Sequence, residues 1–259
     1  LPHHLVPNFK THSNYQEFWI RKLAGLSDVP IDFTPQVAES IHFFQNKGRK
    51  TFEKWLSRSG TYLPMIREIF REANLPQDLA FKAMIESGFN PRAYSRAHAS
   101  GMWQFLQHTA TLYGLRRNFY LDERRDPEKS TVAAAHHLKY LHALFDDWRL
   151  AIAAYNCGQG RLNRAIRKSK TRNFWKIDTL PRETRKPLPR FMAVVLISKD
   201  PEWFGFSNVL YQRPIVFDQV LISQPIDLHV AAQCADTTYN SIKQLNPELR
   251  RSYTPVSLK

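Results

Sequence analysis

Residues 75–115 read LPQDLAFKAMIESGFNPRAYSRAHASGMWQFLQHTATLYGL. Leu79, Ala83 and Glu86 recur at i, i+4 and i+7, so they share one face of a predicted helix. Gly88 is a typical residue for the end of that helix. The pattern therefore predicts a helix with one carboxylate on an otherwise apolar face.

This isolated carboxylate is a candidate general acid. A carboxyl group on an apolar face loses hydration when it ionises, which raises its pKa and keeps its proton available near neutral pH. Glu86 has that setting in the sequence. A buried structural glutamate with hydrogen-bond partners would give the same pattern, because structural networks also shift pKa values. Both interpretations stay open on the glutamate alone.

The segment that follows Glu86 combines small and aromatic residues. Gly101 allows close approach of the backbone to another surface. Trp103 and Phe105 offer flat apolar faces, and the side chain of Gln104 can both donate and accept hydrogen bonds. Beside an acid, this combination suits a sugar ring. The alternative is that the two aromatic residues belong to the core beside a tight turn.

A set of motifs runs in order from about Val37 to near the C-terminus. The motifs are RSGTYLP, LPQDLAFKAMIESGFNP, ASGMWQF, LDERRDPEKST, AAYNCGQGR, FWKIDTLPRETR and LNPEL. In this order they resemble the lytic transglycosylases of the soluble-transglycosylase type, lysozyme-like enzymes that cleave peptidoglycan. The resemblance implies a mainly α protein with a lysozyme-like, all-α catalytic domain.

The resemblance also implies a mechanism with one carboxylate, where most glycosidases use two. Glu86 would protonate the glycosidic oxygen between N-acetylmuramic acid and N-acetylglucosamine, while the 2-acetamido oxygen of the substrate stabilises the positive carbon. The carboxylate would then take the proton of the C6 hydroxyl, which attacks that carbon and gives a 1,6-anhydro-muramic end. A residue that acts first as acid and then as base needs a pKa near ambient pH.

Further site residues follow from matching the family motifs to this chain. Ser95 matches a serine that orients the muramic residue, and the remaining matches line the cleft or face the glutamate. These remaining matches are Gly101, Met102, Gln104, Tyr155 and Asn156. Ser95 could instead cap a turn, and Tyr155 could be a core residue with a satisfied hydroxyl. No cofactor and no metal site is predicted.

The chain departs from the family pattern at one position that bears on the reaction. Relatives have a tyrosine and a valine before the proline of an ETRxYVP element, where residues 184–189 of this chain read TRKPLP. That tyrosine approaches the glutamate in the family. Hydrolysis by a lysozyme-type muramidase, or a changed preference for modified glycan, therefore stays open beside anhydro formation. Smaller departures are Leu106-Gln107-His108 and Cys157.

The composition narrows the class of protein. The 259 residues are 43% hydrophobic, enough for one large domain or a domain with a small module. The formal net charge of +14 favours a polyanionic partner such as nucleic acid, an anionic membrane or a carboxylate-rich cell wall. The basic residues are scattered, so nucleic-acid binding is not predicted. A non-catalytic cell-wall-binding protein remains an alternative.

The cysteines and the possible targeting segments give weaker information about where the protein acts. Cys157 and Cys234 form no disulfide framework, and both are expected to be free. No apolar run approaches the ~20 residues that span a bilayer. The first residues, LPHHLVPNFK, resemble the start of a mature or trimmed chain. Together with the resemblance, this predicts an exported monomer in the periplasm, at the outer membrane or secreted, acting on glycan strands.

Three regions are predicted along the chain. Residues 1–34 form an irregular arm with a short amphipathic piece at 15–26, residues 35–204 the catalytic domain, and residues 205–259 a small extension. The extension reads as three short strands, at 209–211, 215–217 and 220–222, followed by helices at 228–233 and 239–245. This order resembles a reduced α+β LysM module, although the usual Gly-Asp-Thr-Leu start is missing. A packing role for the extension is the alternative to glycan binding.

Overall fold

The computed structural model describes residues 14–255, and this part of the chain is mainly α-helical, as predicted. The start LPHHLVPNFK and the first part of the predicted arm lie outside the described residues. The α-helices are α1 Asn14–Gly25, α2 Pro35–Gln45, α3 Arg49–Glu72, α4 Phe81–Ser87, α5 Gln107–Leu112, α6 Pro127–Phe145, α7 Trp148–Cys157, α8 Gln159–Ser169, α9 Arg182–Arg185, α10 Pro187–Lys199, α11 Leu228–Cys234 and α12 Tyr239–Leu245. Short 3-10 helices cover Gln77–Ala80, Glu123–Arg125 and Phe174–Lys176.

Helix α10 forms the centre of the helical region between residues 35 and 204. Every residue from Phe191 to Ile197 is completely buried, so this helix is apolar all round, as expected for a helix enclosed by others. It packs against α1, α2, α4 and α7. Ile20 and Leu23 of α1 are buried in the same hydrophobic core. The helix that carries Glu86 is therefore seated directly on the core.

Helix α3 is longer than the sequence predicts. The sequence pattern predicts helices at 35–57, with a weak point at Gly48, and at 61–74; the structure has a full break at Gly48, between α2 and α3. The expected second break, between helices at 35–57 and 61–74, is wrong, because α3 continues to Glu72 with Pro64 inside it. One apolar face from Phe52 to Phe70 is buried along this helix. That packing outweighs the hydrogen bond that a proline removes from a helix.

Asp126-Pro127 predicts the start of a helix with Asp126 as N-cap, and Ala134, Leu138, Leu141 and Phe145 predict its buried stripe. Asp126 is the N-cap of α6, and its side chain accepts a hydrogen bond from the Lys129 amide. The predicted buried stripe of this helix is also present, with Ala134, Leu138 and Leu141 in the core. Local signals therefore placed the start of α6 correctly.

The C-terminal extension differs from its prediction. Helices α11 and α12 are present as expected, but the three predicted strands are wrong, because residues 208–222 contain neither helix nor strand. Val216 and Leu221 are 94% and 99% exposed, so these apolar side chains have no packed surface that would fix a sheet. Within the described residues, pairing in the extension is limited to isolated bridges such as Asp227 with Tyr253.

A buried arginine fixes the segment that follows Glu86. Arg124 is 1% exposed, and its guanidinium donates to both carboxylate oxygens of Asp122 at 2.8 and 2.7 Å. It also donates to the carbonyl oxygens of His98 and Phe105 at 2.9 and 3.0 Å. The guanidinium thus ties two points of the segment 93–105 to the Glu123–Arg125 turn.

Residues next to Arg124 in the chain also bind the C-terminal extension. The Asp122 amide donates to the Glu248 carbonyl at 2.8 Å, and the Arg250 amide donates to the Tyr120 carbonyl at 2.7 Å. The extension is therefore hydrogen-bonded through its backbone to the helical region that precedes it. These contacts favour the packing role, while glycan binding by the extension stays a prediction.

We expect acid to weaken the fold through Glu123. Burial acts to raise the pKa of Glu123, but hydrogen bonds from Arg116 and Lys129 outweigh it and lower that pKa to about 2. A lowered folded-state pKa stabilises the fold above the usual value of 4.5 and loses its effect as the pH falls toward 2. Glu123→Gln should therefore lower the free energy of unfolding by roughly 2–3 kcal/mol at pH 7, and by much less near pH 2 to 3.

Urea unfolding measured at a series of pH values checks this prediction. Glu128→Gln is the control, since Glu128 is an exposed neighbour on α6. A difference between Glu123→Gln and the unmodified protein that stays constant from pH 7 to pH 3 would contradict it.

Candidate active site

Glu86 lies in the last turn of the short helix α4. The preceding residues form a 3-10 helix, so the single α-helix predicted through Leu79 and Ala83 is in fact two helical segments, with both of these residues fully buried. Gly88 ends α4 as predicted, with a left-handed φ of 60°. The Glu86 side chain is 14% exposed. Its carboxylate is thus largely dry but reaches the surface.

Two side chains hold the carboxylate of Glu86. Lys82, one turn earlier on α4, donates to Oε1, and the exposed Asn156 donates to the same oxygen at 3.1 Å. Lys82 was missed by the sequence reasoning. An i, i+4 Lys–Glu pair is a recognisable signal, but such a pair usually marks a solvated helix face.

Lys82 has an unusual environment for a lysine. It is completely buried, and burial lowers its pKa to about 7. Its Nζ lies 4.4 Å from the centroid of the Tyr155 ring, a cation–π distance. The ammonium group therefore lies between the carboxylate of Glu86 and the face of an aromatic ring.

Tyr155 and Asn156, which the family resemblance implies to face the glutamate, differ in what they contact. Asn156 contacts Glu86 directly, whereas Tyr155 faces Lys82 with its ring. The hydroxyl of Tyr155 donates to the Trp103 carbonyl at 2.9 Å, and burial raises the pKa of Tyr155 well above its ordinary value. Tyr155 is therefore a neutral wall of the site rather than a proton carrier.

Ser95 lies in the turn after α4. Its hydroxyl accepts a hydrogen bond from the Ala99 amide at 3.1 Å, which is the turn-capping alternative raised by the sequence. The side chain of Gln104 is also used within this segment, since its Nε2 donates to the Gly101 carbonyl at 2.9 Å. Both residues are partly exposed. Contact of either one with substrate remains a proposal.

The side chain of Met102 points into the core, and lining of a cleft by the element that contains Met102 stays a prediction. Met102 is completely buried, and its carbonyl accepts a hydrogen bond from the Ser87 hydroxyl at 2.8 Å. Trp103 and Phe105 are likewise buried, which agrees with the core alternative that the sequence left open. The backbone turns sharply here, with φ of 83° at Gly101, and the apolar side chains that follow enter the interior.

Gly101 has a structural reason to be glycine. Its φ is positive, and a Cβ atom at this position would lie 1.7 Å from the Arg124 carbonyl oxygen. The backbone at Gly101 therefore packs directly on the Glu123–Arg125 turn. This close approach fixes the backbone on both sides of Gly101. Any contact of Gly101 with substrate would have to be made by its backbone.

Other candidate chemistry is limited in the described part of the chain. Between residues 14 and 255, no three His, Cys, Asp or Glu side chains gather in a way that could hold a metal ion. No helix in that range combines the length and apolar character needed to cross a bilayer. Cys157 and Cys234 are both free thiols.

Two domain families match this chain. Residues 65–178 match the transglycosylase SLT domain, and residues 216–258 match the LysM-like domain of lytic transglycosylase MltD. Glu86 and each of the other predicted site residues lie within the first match. The chain therefore contains a transglycosylase SLT domain and, C-terminal to it, an MltD-type LysM-like domain.

Individual relatives agree with this class. The chain is 32% identical over 200 residues to membrane-bound lytic murein transglycosylase D of Escherichia coli (strain K12), covering 75% of this chain and 44% of that protein. It is 43% identical over 117 residues to a tributyltin chloride resistance protein of Alteromonas sp. (strain M-1), covering 45% of this chain and 56% of that protein. This chain thus spans about half the length of these curated relatives.

One solved structure aligns with a large part of the chain. It is the 70 kDa soluble lytic transglycosylase SLT70 from Escherichia coli, with a TM-score of 0.47 and 18% sequence identity. The alignment covers 77% of this chain and 37% of that one.

We expect Gly101→Ala to destabilise the protein strongly. The added methyl group would collide with the Arg124 carbonyl, in addition to straining a backbone with positive φ. Gly114→Ala is a matched control, because Gly114 also has positive φ (78°) but nothing lies within 4 Å of its Cβ position.

The free energy of unfolding, measured with denaturant, should fall by about 1 kcal/mol for Gly114→Ala and by about 3 kcal/mol or more for Gly101→Ala. An equal decrease in the free energy of unfolding in the two variants would show that the contact with the Arg124 carbonyl does not affect stability.

Proposed function

We propose that this chain is a peptidoglycan lytic transglycosylase that cleaves the bond between N-acetylmuramic acid and N-acetylglucosamine, with Glu86 as the catalytic residue. The observation that supports it is the setting of the Glu86 carboxylate, which is 14% exposed within the SLT-matched region. Among the described residues, its polar contacts with Lys82 and Asn156 are both to Oε1. This leaves Oε2 for the substrate.

The reaction proceeds in two proton transfers. Protonated Glu86 gives its proton to the glycosidic oxygen, the bond from that oxygen to C1 of the muramic residue breaks, and the 2-acetamido oxygen of the substrate stabilises C1. The Glu86 carboxylate then removes the proton of the C6 hydroxyl, and the C6 oxygen bonds to C1. The products are a 1,6-anhydro-muramic end and a free N-acetylglucosamine end, without consumption of water. The first step requires that Glu86 is protonated, and its carboxyl group lies at the surface but is largely buried.

A muramidase reaction on the same fold is the second candidate. Residues 184–189, TRKPLP, replace the family element that contains a tyrosine, and here they form the junction between α9 and α10, with Pro187 in the first turn of α10. Without that hydroxyl, water could take the place of the C6 hydroxyl as nucleophile. The two products differ in mass by one water molecule.

The proposed setting of the enzyme is the bacterial cell wall. The net charge of +14 suits the carboxylate-rich peptides of the wall polymer. The similar Escherichia coli protein is named as membrane-bound. We therefore place the protein outside the cytoplasm, in the periplasm, at the outer membrane or secreted, and acting as a monomer on glycan strands.

Glu86→Gln should abolish cleavage of purified peptidoglycan while the fold is retained. The amide has the shape of the carboxyl group but cannot donate the proton, so we expect a loss of at least about 100-fold. Soluble products should be followed by mass spectrometry, and circular dichroism should report the fold. Glu128→Gln, at an exposed position, is the control that keeps activity.

Full turnover by Glu86→Gln would end this proposal. Binding of the unmodified protein to cell-wall sacculi without any cleavage would favour a non-catalytic wall-binding protein instead. Products that carry one additional water would favour the muramidase reaction.

Asn156→Ala should slow the same reaction without unfolding the protein. Its side chain is exposed and donates to Glu86 Oε1, and a hydrogen bond to a charged group contributes about 1.5–3 kcal/mol. The turnover rate should therefore fall about tenfold to 100-fold. Gln159→Ala, an exposed neighbour, is the control, and equal rates for the two variants would contradict the role of Asn156.

A further inference from the structure

Lys82 is a charged side chain in a place where lysine is rare. It is completely buried, as are its neighbours on α4, Phe81, Ala83 and Met84. Lysine is almost never fully buried unless a partner compensates its charge. The partner here is Glu86, whose Oε1 accepts a hydrogen bond from Nζ. A buried ion pair of this kind contributes little to stability compared with apolar residues of the same size.

The groups that surround Lys82 come from several elements. Glu86 lies on its own helix, Tyr155 of α7 presents its ring at 4.4 Å, and His137 lies on α6. The Nδ1 atom of His137 is 2.9 Å from the hydroxyl of Tyr113, which follows α5. Asn156 of α7 completes the set through its bond to Glu86.

The other titratable groups in this cluster are neutral near pH 7. Burial, with a further contribution from the charge of Lys82, lowers the pKa of His137 to about 4. Burial raises the pKa of Tyr113 and, more strongly, that of Tyr155. Within this set of described residues, Lys82 is therefore the group whose pKa lies near neutral pH, and Glu86 is its charge partner.

The two groups of the pair control each other's proton. An ammonium group in contact favours the carboxylate, whereas a neutral amine lets Glu86 keep its proton. Burial acts on the pair in the opposite sense, because a dry site favours the neutral amine and the neutral acid over the two ions. Protons bound by groups in such close contact belong to the pair rather than to either residue.

We propose that Lys82 is a positioning residue for Glu86: it holds Oε1 and sets the pH below which Glu86 carries the proton that it donates. This inference rests on the proposed function, in which protonated Glu86 begins the reaction. Lys82 does not touch the substrate in this scheme. It orients the carboxylate so that Oε2 faces the glycosidic oxygen, and its charge determines how much of the enzyme is in the acid form.

The consequence for activity has a definite sign. An opposite charge in contact lowers the pKa of a carboxyl group by about 1–3 units. When Lys82 is replaced by an apolar residue, Glu86 keeps its proton to higher pH. The pH above which activity falls should therefore move upward, while the loss of the Lys82 contact lowers the maximum rate through poorer orientation.

The first experiment compares pH–rate profiles on purified peptidoglycan. Lys82→Met is the test variant, because methionine has nearly the same length and no charge. We expect its alkaline limb at a pH at least about one unit above that of the unmodified protein. Lys54→Met, which removes an exposed lysine from α3, should leave the profile unchanged. An alkaline limb at the same pH in folded Lys82→Met would overturn the proposal.

Glu86→Gln separates this inference from the proposed function. If Glu86→Gln is inactive at every pH and Lys82→Met has an unshifted profile, the function holds and the role of Lys82 fails. If Glu86→Gln is fully active, the proposed function fails, and the pH profile of Lys82→Met then has no bearing on Glu86.

A second experiment does not need Lys82→Met to fold. NMR of protein labelled with 13C at lysine Cε follows the lysine signal that titrates near neutral pH, in the unmodified protein and in Glu86→Gln. Because the amide removes the carboxylate that favours the ammonium form, the midpoint should fall by at least about one pH unit in Glu86→Gln. No lysine signal with a changed midpoint would overturn the pairing on which the proposal depends.

Discussion

The buried guanidinium of Arg124 is the constraint on which the geometry of the site depends. It donates one hydrogen bond to each carboxylate oxygen of Asp122 and also donates to the carbonyl oxygens of His98 and Phe105. A planar, permanently charged fork can bind all of these acceptors in one fixed arrangement, which a lysine cannot. The segment after α4 is thus held in one conformation, with Gly101 pressed against the Arg124 carbonyl. The C-terminal extension is attached through the same stretch of chain.

The Lys82–Glu86 pair is a charged pair within an otherwise apolar part of the structure. Helix α4 is seated on α10 through apolar contacts, and an apolar residue at position 82 would suit that packing. A lysine there costs desolvation free energy that its contact with one partly exposed carboxylate does not clearly recover. Local features that conflict with the demands of the fold are expected where chemistry requires them. The walls of this pair, Tyr155 and His137, are neutral, so the charge remains concentrated on two groups.

Features that depend on a few neighbouring residues could be predicted from the sequence. The Asp126 cap, the break at Gly48 and the left-handed end of α4 at Gly88 follow from local backbone preferences. The predictions that failed concern partners far away in sequence. The strands predicted near residues 209–222 lack a neighbouring strand. For Trp103 and Phe105 the sequence left two alternatives open, and both side chains face the interior. The same apolar residue types occur in a protein core and on a sugar-binding surface, so the sequence pattern could not distinguish a core position from a binding position.

The sequence alone determined the fold class, the order of the helices and the choice of Glu86, because helix periodicity, caps and an ordered set of motifs are local and specific. Only the tertiary structure decided what surrounds that carboxylate. Asn156 is 70 residues away in the chain, and Lys82 is buried where α4 packs against α10 and Tyr155 of α7 covers its ammonium group. The reason is physical: the proton affinity of a carboxyl group is set by the charges, dipoles and dryness within a few ångströms, and these are contributed by segments that only folding brings together.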